Sequence, residues 1–223
     1  ETLGRNPQDN RLSMNAYEWI RDEILANRRH EGEPLSENRL AQELAISRTP
    51  IREALRNLEQ DGFVKSVPGK GAFVAEVSRE DVVEIYELRL LLEPLAARTA
   101  VGRVPEEAVD ALEADWRDLR DRAARGEAVE YEEVHLLDRR SHGLLNEHSS
   151  NRKLRQILSL LHSQIERFQF LSARSLADVR DTAAQHLEIC AVLRRRDPEA
   201  LARLLEEHIR RSEDYILSRY LRR

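Results

Sequence analysis

At 223 residues the chain is too long for one small domain, and at roughly 100–200 residues per domain it suggests two. Cys190 is its only cysteine, which excludes an intrachain disulfide and a cysteine-built zinc site; the net charge is −5. No apolar run approaches the ~20 residues of a membrane span and no signal peptide precedes the first helical pattern, so a cytoplasmic chain is expected, with no membrane partner.

Residues 1–12 show no periodicity and are expected to form a flexible arm. Met14, Tyr17, Ile20 and Ile24 then repeat on one face of a helix near residues 14–29. Glu33-Pro34-Leu35 breaks it, and Ser36 can cap a second helix that turns Leu40, Ala41 and Leu44 inward. A third helix follows a tight turn, with Ser47 as its expected N-cap and Pro50 in its first turn, where a missing N–H costs nothing. Ile51, Ala54, Leu55 and Leu58 follow i, i+3, i+4, i+7 and should face a core, while Arg48, Arg52 and Arg56 share the outer face with Thr49. Two short helices around a tight turn are the sequence form of a helix-turn-helix. After Asp61-Gly62 the pattern becomes two short β-type runs, 63–64 and 72–74, around a Gly-rich tip at 67–71, the wing of a winged helix.

Arginine and threonine at the start of a recognition helix suit double-stranded DNA. Arginine can bridge guanine O6 and N7, threonine offers a hydroxyl and a methyl, and the free backbone N–H groups of the helix end attract phosphate. Arg39 would lie beside that helix, and Gly69-Lys70-Gly71 would let the wing backbone approach a phosphate or the minor groove. The acidic total does not oppose this, because affinity depends on which face the cations share. The competing reading is a solvated face whose arginines pair with Glu53 and Glu59. The cap, turn, apolar spacing and wing all in register favour DNA.

From Ser78 onward six helices are expected, near 79–101, 105–125, 128–147, 151–173, 178–196 and 198–221. The domains are therefore 13–77, a winged helix-turn-helix, and 78–223, an all-helical bundle, in a mainly α fold. Asp138 and His142 lie four apart on one helix face, and His186 and His208 lie inside two later helices. A bundle could bring them together as a set of borderline ligands suited to Zn²⁺, Ni²⁺, Mn²⁺ or Fe²⁺. From spacing alone, an ordinary surface Asp/His pair remains the competing reading.

Residues 32–75 resemble the winged helix of the GntR family of bacterial regulators. The Leu-Ser-Glu, Leu-Ala, Ser-Arg-Thr-Pro, Arg-Glu-Ala-Leu and Gly-x-Phe-Val elements stand at that family's spacing. By this resemblance Arg39, Arg48, Thr49, Arg52 and Gly69 match positions that touch DNA. Asp138-x3-His142, His186 and His208 are similar to the metal motif of the FCD effector domain of FadR-type members, and six effector helices suggest its VanR-like subgroup. Supporting matches are Ser149-Ser150-Asn151, Glu166-Arg167-Phe168, and Asp197 with Ala200. Ser141 and Gln185 depart from that pattern, standing where a Phe and a Glu are common before the first and second histidines, and either could alter the surroundings of the ligands.

The resemblance implies a transcriptional regulator, most often a repressor, that binds a short palindromic operator as a homodimer. A small carboxylate metabolite on the metal would set its affinity. Arg89 matches a position that lines the effector pocket; a salt bridge to Glu93, four residues on, is its alternative role. His30, His135, His148 and His162 match no ligand position, and Trp19 and Trp116 read as packing residues. Two other readings stay open: a metal-dependent enzyme with a DNA-targeting domain, and a regulator whose metal is purely structural.

Overall fold

The computed structural model describes residues 7–26, 28–170 and 176–220, without the side chains at 7–10, 131, 163, 166–170, 176–177 and 219–220. The chain divides into two compact units, one ending at Ser78 and the other starting at Arg79.

The first unit runs α1 (Pro7–Leu25), β1 (Pro34–Leu35), α2 (Glu37–Glu43), α3 (Arg48–Gln60), β2 (Val64–Val67) and β3 (Gly71–Val74). Helix α1 starts at Pro7, so residues 7–12 are its opening turns and not part of a loose arm; residues 1–6 lie outside the described residues. Ile20 and Ile24 of α1 meet Ile51, Ala54 and Leu58 of α3 in a core closed by Leu40, Phe63, Val64 and Val74. Ser36 caps α2 by accepting from the Arg39 N–H at 3.4 Å. Ser47 occupies the N-cap position of α3 but makes no side-chain capping bond, which leaves its hydroxyl and the helix-end N–H groups outward. Between α2 and α3 the chain reverses through Ala45 at φ +53°, with the Ile46 N–H bonded to the Ala41 carbonyl at 3.0 Å.

The sheet has the order β1-β3-β2, all antiparallel. The two-residue strand β1 was not foreseen; Pro34 and Leu35 pair with Phe73 and Ala72, tying the base of the hairpin to the segment before α2. At the hairpin tip Gly69 and Gly71 have φ of +75° and +97°. A Cβ at either would meet nothing within 4 Å, so it is backbone conformation that calls for glycine there.

The second unit is α4 (Arg79–Ala100), α5 (Glu106–Ala124), α6 (Tyr131–His148), α7 (Arg152–Phe170), α8 (Leu176–Arg195) and α9 (Pro198–Tyr220). Helix α4 packs most extensively on α9, and also on α6 and α7, while α5 packs on α8. Helices α7 and α9 are capped by side chains noted in the sequence: Asn151 Oδ1 accepts from the Lys153 and Leu154 N–H groups at 3.1 and 3.2 Å, and Asp197 Oδ1 from those of Glu199 and Ala200 at 3.1 and 3.0 Å. Trp116 is fully buried in the same hydrophobic core as Leu112, Leu193 and Leu205. Among the described residues no helix is long and apolar enough to cross a membrane.

Candidate DNA interface and candidate metal centre

On the first unit, Ser47, Arg48, Thr49, Arg52 and Arg56 are exposed on α3 and its N-terminus, opposite the buried Ile51, Ala54, Leu55 and Leu58. Arg39 on α2 and Gly69, Lys70 and Gly71 at the hairpin tip are exposed too. Three of the arginines are held by side chains of α2. Arg52 Nε donates to Glu37 Oε2 at 2.7 Å, Arg39 Nε to Glu43 Oε1 at 2.8 Å, and Arg48 Nη1 to Asn38 Oδ1 at 3.5 Å. Glu59 instead accepts the Ser66 N–H of the hairpin at 2.9 Å. The acidic partners thus come from α2, the helix packed beside α3. Exposed pairs of this kind are worth about 0–1 kcal/mol, so a phosphate or base edge can replace them at little cost.

The second unit holds a buried constellation. Asp138 and His142 project from α6, His186 from α8 and His208 from α9, and one ligand atom from each lies within 4.8 Å of the others. Each imidazole presents Nε2 to Asp138 Oδ1, at 3.7 Å for His142, 3.2 Å for His186 and 3.5 Å for His208. Each Nδ1 faces outward. His142 Nδ1 meets Glu93 Oε2 at 2.6 Å, His186 Nδ1 the Thr182 carbonyl at 3.0 Å, and His208 Nδ1 the Gln185 Oε1 at 2.9 Å. Since a carbonyl and a carboxylate only accept, Nδ1 carries the proton in His142 and His186, and Nε2 keeps its lone pair when the ring is neutral. The Nε2 atoms of His142 and His186 are buried with no hydrogen-bond partner among the described residues. Such groups are costly to leave unsatisfied, and three convergent imidazole nitrogens with a carboxylate oxygen fit a divalent transition metal.

The electrostatics agree with that fit. Burial would raise the Asp138 carboxyl, but the charge of His142 and the approach of His186 and His208 hold it well below the usual carboxylate range. Burial, then the neighbouring His186, lower the His208 imidazole to about 3, so it stays neutral at physiological pH. Burial opposes charge on His142 also, yet Glu93 and Asp138 raise its pKa, so protons compete with a metal more strongly there than at His208.

All six helices of the unit contribute to this site or its walls. Helix α4 supplies Arg89 and Glu93, joined by Arg89 Nε donating to Glu93 Oε1 at 2.6 Å, so the salt bridge expected as the alternative role of Arg89 is formed. Yet Arg89 Nη1 is buried with no hydrogen-bond partner among the described residues. Helix α5 supplies Trp116, stacked on His186 with centroids 4.0 Å apart. Ser141 Oγ accepts the Trp116 Nε1–H at 3.0 Å and donates to the Leu137 carbonyl at 2.8 Å. Both departures from the resembled pattern therefore lie behind candidate ligands: Gln185 directly on His208, and Ser141 through Trp116 on His186. Helix α7 places His162 edge-on to His142, with centroids 6.5 Å apart.

Sequence reasoning set His162 aside and saw Glu93 only as a partner of Arg89. The contact of Glu93 with His142 spans 49 residues and leaves no local pattern to find. Glu166, Arg167 and Phe168 have side chains outside the described residues. Of the other histidines, His135 is buried and His30 exposed, and His148 Nδ1 bonds to the Leu144 carbonyl of its own helix at 2.9 Å.

Comparison with known proteins bears on both units. Residues 12–74 match the family described as bacterial regulatory proteins, gntR family, and residues 84–211 match the FCD domain. A curated relative, the Nta operon transcriptional regulator of Aminobacter aminovorans, is 33% identical over 187 residues, covering 83% of this chain and 85% of its own. The HTH-type transcriptional repressor RspR of Escherichia coli is 25% identical over 198 residues, covering 89% and 86%. Among solved structures, E. coli McbR/YncC shares the fold, with a TM-score of 0.78 and 21% identity over 94% of this chain and 98% of its own.

Proposed function

The chain belongs to the GntR family of bacterial transcriptional regulators and carries an FCD domain, and we propose that it is a repressor whose operator affinity is set by a small organic acid bound at a metal centre in the helical unit. Members of this family are regulators and not enzymes, which sets aside the reading as a DNA-targeted enzyme. The observation that carries the proposal is a coincidence of buried groups. Asp138 and the imidazoles of His142, His186 and His208 converge beside Arg89, a cation whose Nη1 has no hydrogen-bond partner among the described residues.

A divalent ion held by Asp138 and the three Nε2 atoms would supply concentrated positive charge, with coordination positions open to a carboxylate. Arg89 would orient that carboxylate through Nη1, while the low-dielectric bundle strengthens the attraction. At the other end of the chain, Arg48, Thr49 and Arg52 would read base edges in the major groove. Arg39, Arg56 and the backbone at Ser47 and the Gly69-Lys70-Gly71 tip would hold phosphates or the minor groove.

Family regulators commonly act as dimers, and a homodimer on a palindrome is part of this reading. Its support is an apolar face: Leu88, Leu91 and Leu95 of α4 are exposed at i, i+3, i+7, and Ile157 and Leu160 of α7, a helix packed on α4, are exposed as well. Half-site spacing is fixed by the DNA, so an effector that alters the separation of the two reading heads changes specific affinity.

Elemental analysis of protein purified without chelator tests the metal centre. A divalent transition metal stoichiometric with the chain is expected, and is lost in Asp138→Ala and His208→Ala. Metal-free wild-type protein that gains no thermal stability from Zn²⁺, Ni²⁺, Mn²⁺ or Fe²⁺ would contradict it. A metal that stabilises the protein while no organic acid alters operator binding would make the ion structural.

A further inference from the structure

The three imidazoles of the candidate centre are anchored by chemically different groups. His186 is held by a carbonyl of its own helix and His208 by the neutral amide of Gln185. His142 alone is held by a carboxylate, from a different helix, at 2.6 Å, with both side chains buried. Both oxygens of that carboxylate are used, Oε2 on His142 Nδ1 and Oε1 on Arg89 Nε at 2.6 Å. One buried group thereby joins an imidazole Nε2 and a guanidinium Nη1 that both lack a hydrogen-bond partner among the described residues. A plain structural ion pair with Arg89 would not need the second contact.

We propose that Glu93 is a positioning residue for the metal centre, holding His142 by its Nδ1 proton so that Nε2 faces the ion, and that through the same carboxylate it links the ion to the anion-binding Arg89. The inference rests on the reading of the quartet as a metal site. A carboxylate behind an imidazole fixes its tautomer and ring orientation and raises the basicity of the ligating nitrogen. Because Arg89 draws on the same carboxylate, an anion that takes the Arg89 charge leaves more of the Glu93 charge to His142. Metal and anion then strengthen each other, and the coupling is reciprocal.

The test is a Co²⁺ titration of full-length protein, read by the visible absorption of the bound ion, for wild type, Glu93→Gln and the double variant Arg89→Gln/Glu93→Gln. Glutamine keeps the size and an acceptor oxygen but not the charge. The double variant removes the buried guanidinium with its counter-charge, so no charge is stranded if the single variant fails to fold. Loss of a supporting group behind a ligand costs about 10–100-fold in metal affinity. That loss, with a changed Co²⁺ spectrum, is expected in each folded variant, including the double variant at a melting temperature near that of the metal-free wild type. Wild-type affinity and spectrum in either variant would overturn the role of Glu93. Failure of the wild type itself to bind Co²⁺ would instead overturn the metal site.

Discussion

Two arginine–glutamate pairs of almost equal length do opposite work in the two units. Arg52–Glu37 closes at 2.7 Å with side chains 61% and 35% exposed; Arg89–Glu93 closes at 2.6 Å with side chains 1% and 6% exposed. In water the first pair is weak: it holds Arg52 over the outer face of α3 and can give way to another anion at little cost. In the bundle the second pair is scaffold, since neither charge has solvent to return to. The burial of Glu93 would raise its pKa, yet Arg89 first and His142 next hold it far below the ordinary carboxylate range. Distance and residue type are the same, and surroundings decide whether the arginine is ready to change partners.

Breaking one partner of each pair separates them most sharply. Arg89→Met strands the Glu93 carboxylate and should destabilise the helical unit by about 3–5 kcal/mol in urea unfolding, whereas Arg52→Met should stay within about 0.5 kcal/mol. Equal losses would remove the contrast. Next in size is DNA binding: Arg48→Ala and Arg52→Ala should each weaken a selected operator by about 1–3 kcal/mol if they bridge guanines, measured by fluorescence anisotropy at fixed salt. Arg39→Ala should instead lower specific and non-specific affinity together and flatten the salt dependence, as a phosphate contact would. The smallest effect belongs to the exposed pair itself. Glu37→Gln should leave stability within about 0.5 kcal/mol and hold or slightly tighten operator affinity, because Arg52 no longer leaves a partner behind. A clear loss of affinity would mean that the pair pre-organises Arg52 and is kept in the complex.

The same contrast marks how much could be read from the sequence. The recognition helix was legible because one amphipathic period sorts Ile51, Ala54, Leu55 and Leu58 from Arg48, Arg52 and Arg56 within a few turns. Asp138 and His142 were legible as a pair for the same reason, and the resemblance to the FCD motif joined them to His186 and His208. What escaped is what tertiary packing alone creates. Glu93 reaches His142 only because α4 lies against α6, and Trp116 covers His186 because α5 lies against α8. Likewise Arg52 finds Glu37 on α2, fifteen residues away, and not an acid of its own helix. Local rules also missed β1, too short for any period, and the early start of α1, whose opening residues 7–12 carry little apolar signal. Ser47 has the residue type of a cap but not the bond, since residue type alone does not fix a side-chain rotamer.

The most direct measurement is the affinity of the metal-loaded protein for a duplex that it selects from a random pool, at constant salt, across a panel of small carboxylic acids. The account predicts that at least one acid changes operator affinity by about 5–150-fold in the wild type, the usual range of coupling between two sites. His186→Ala, its winged helix intact, should bind the duplex but no longer respond. Affinity unchanged by every acid in the metal-loaded wild type, or changed to the same extent in His186→Ala, would contradict control of the DNA reader from the buried centre.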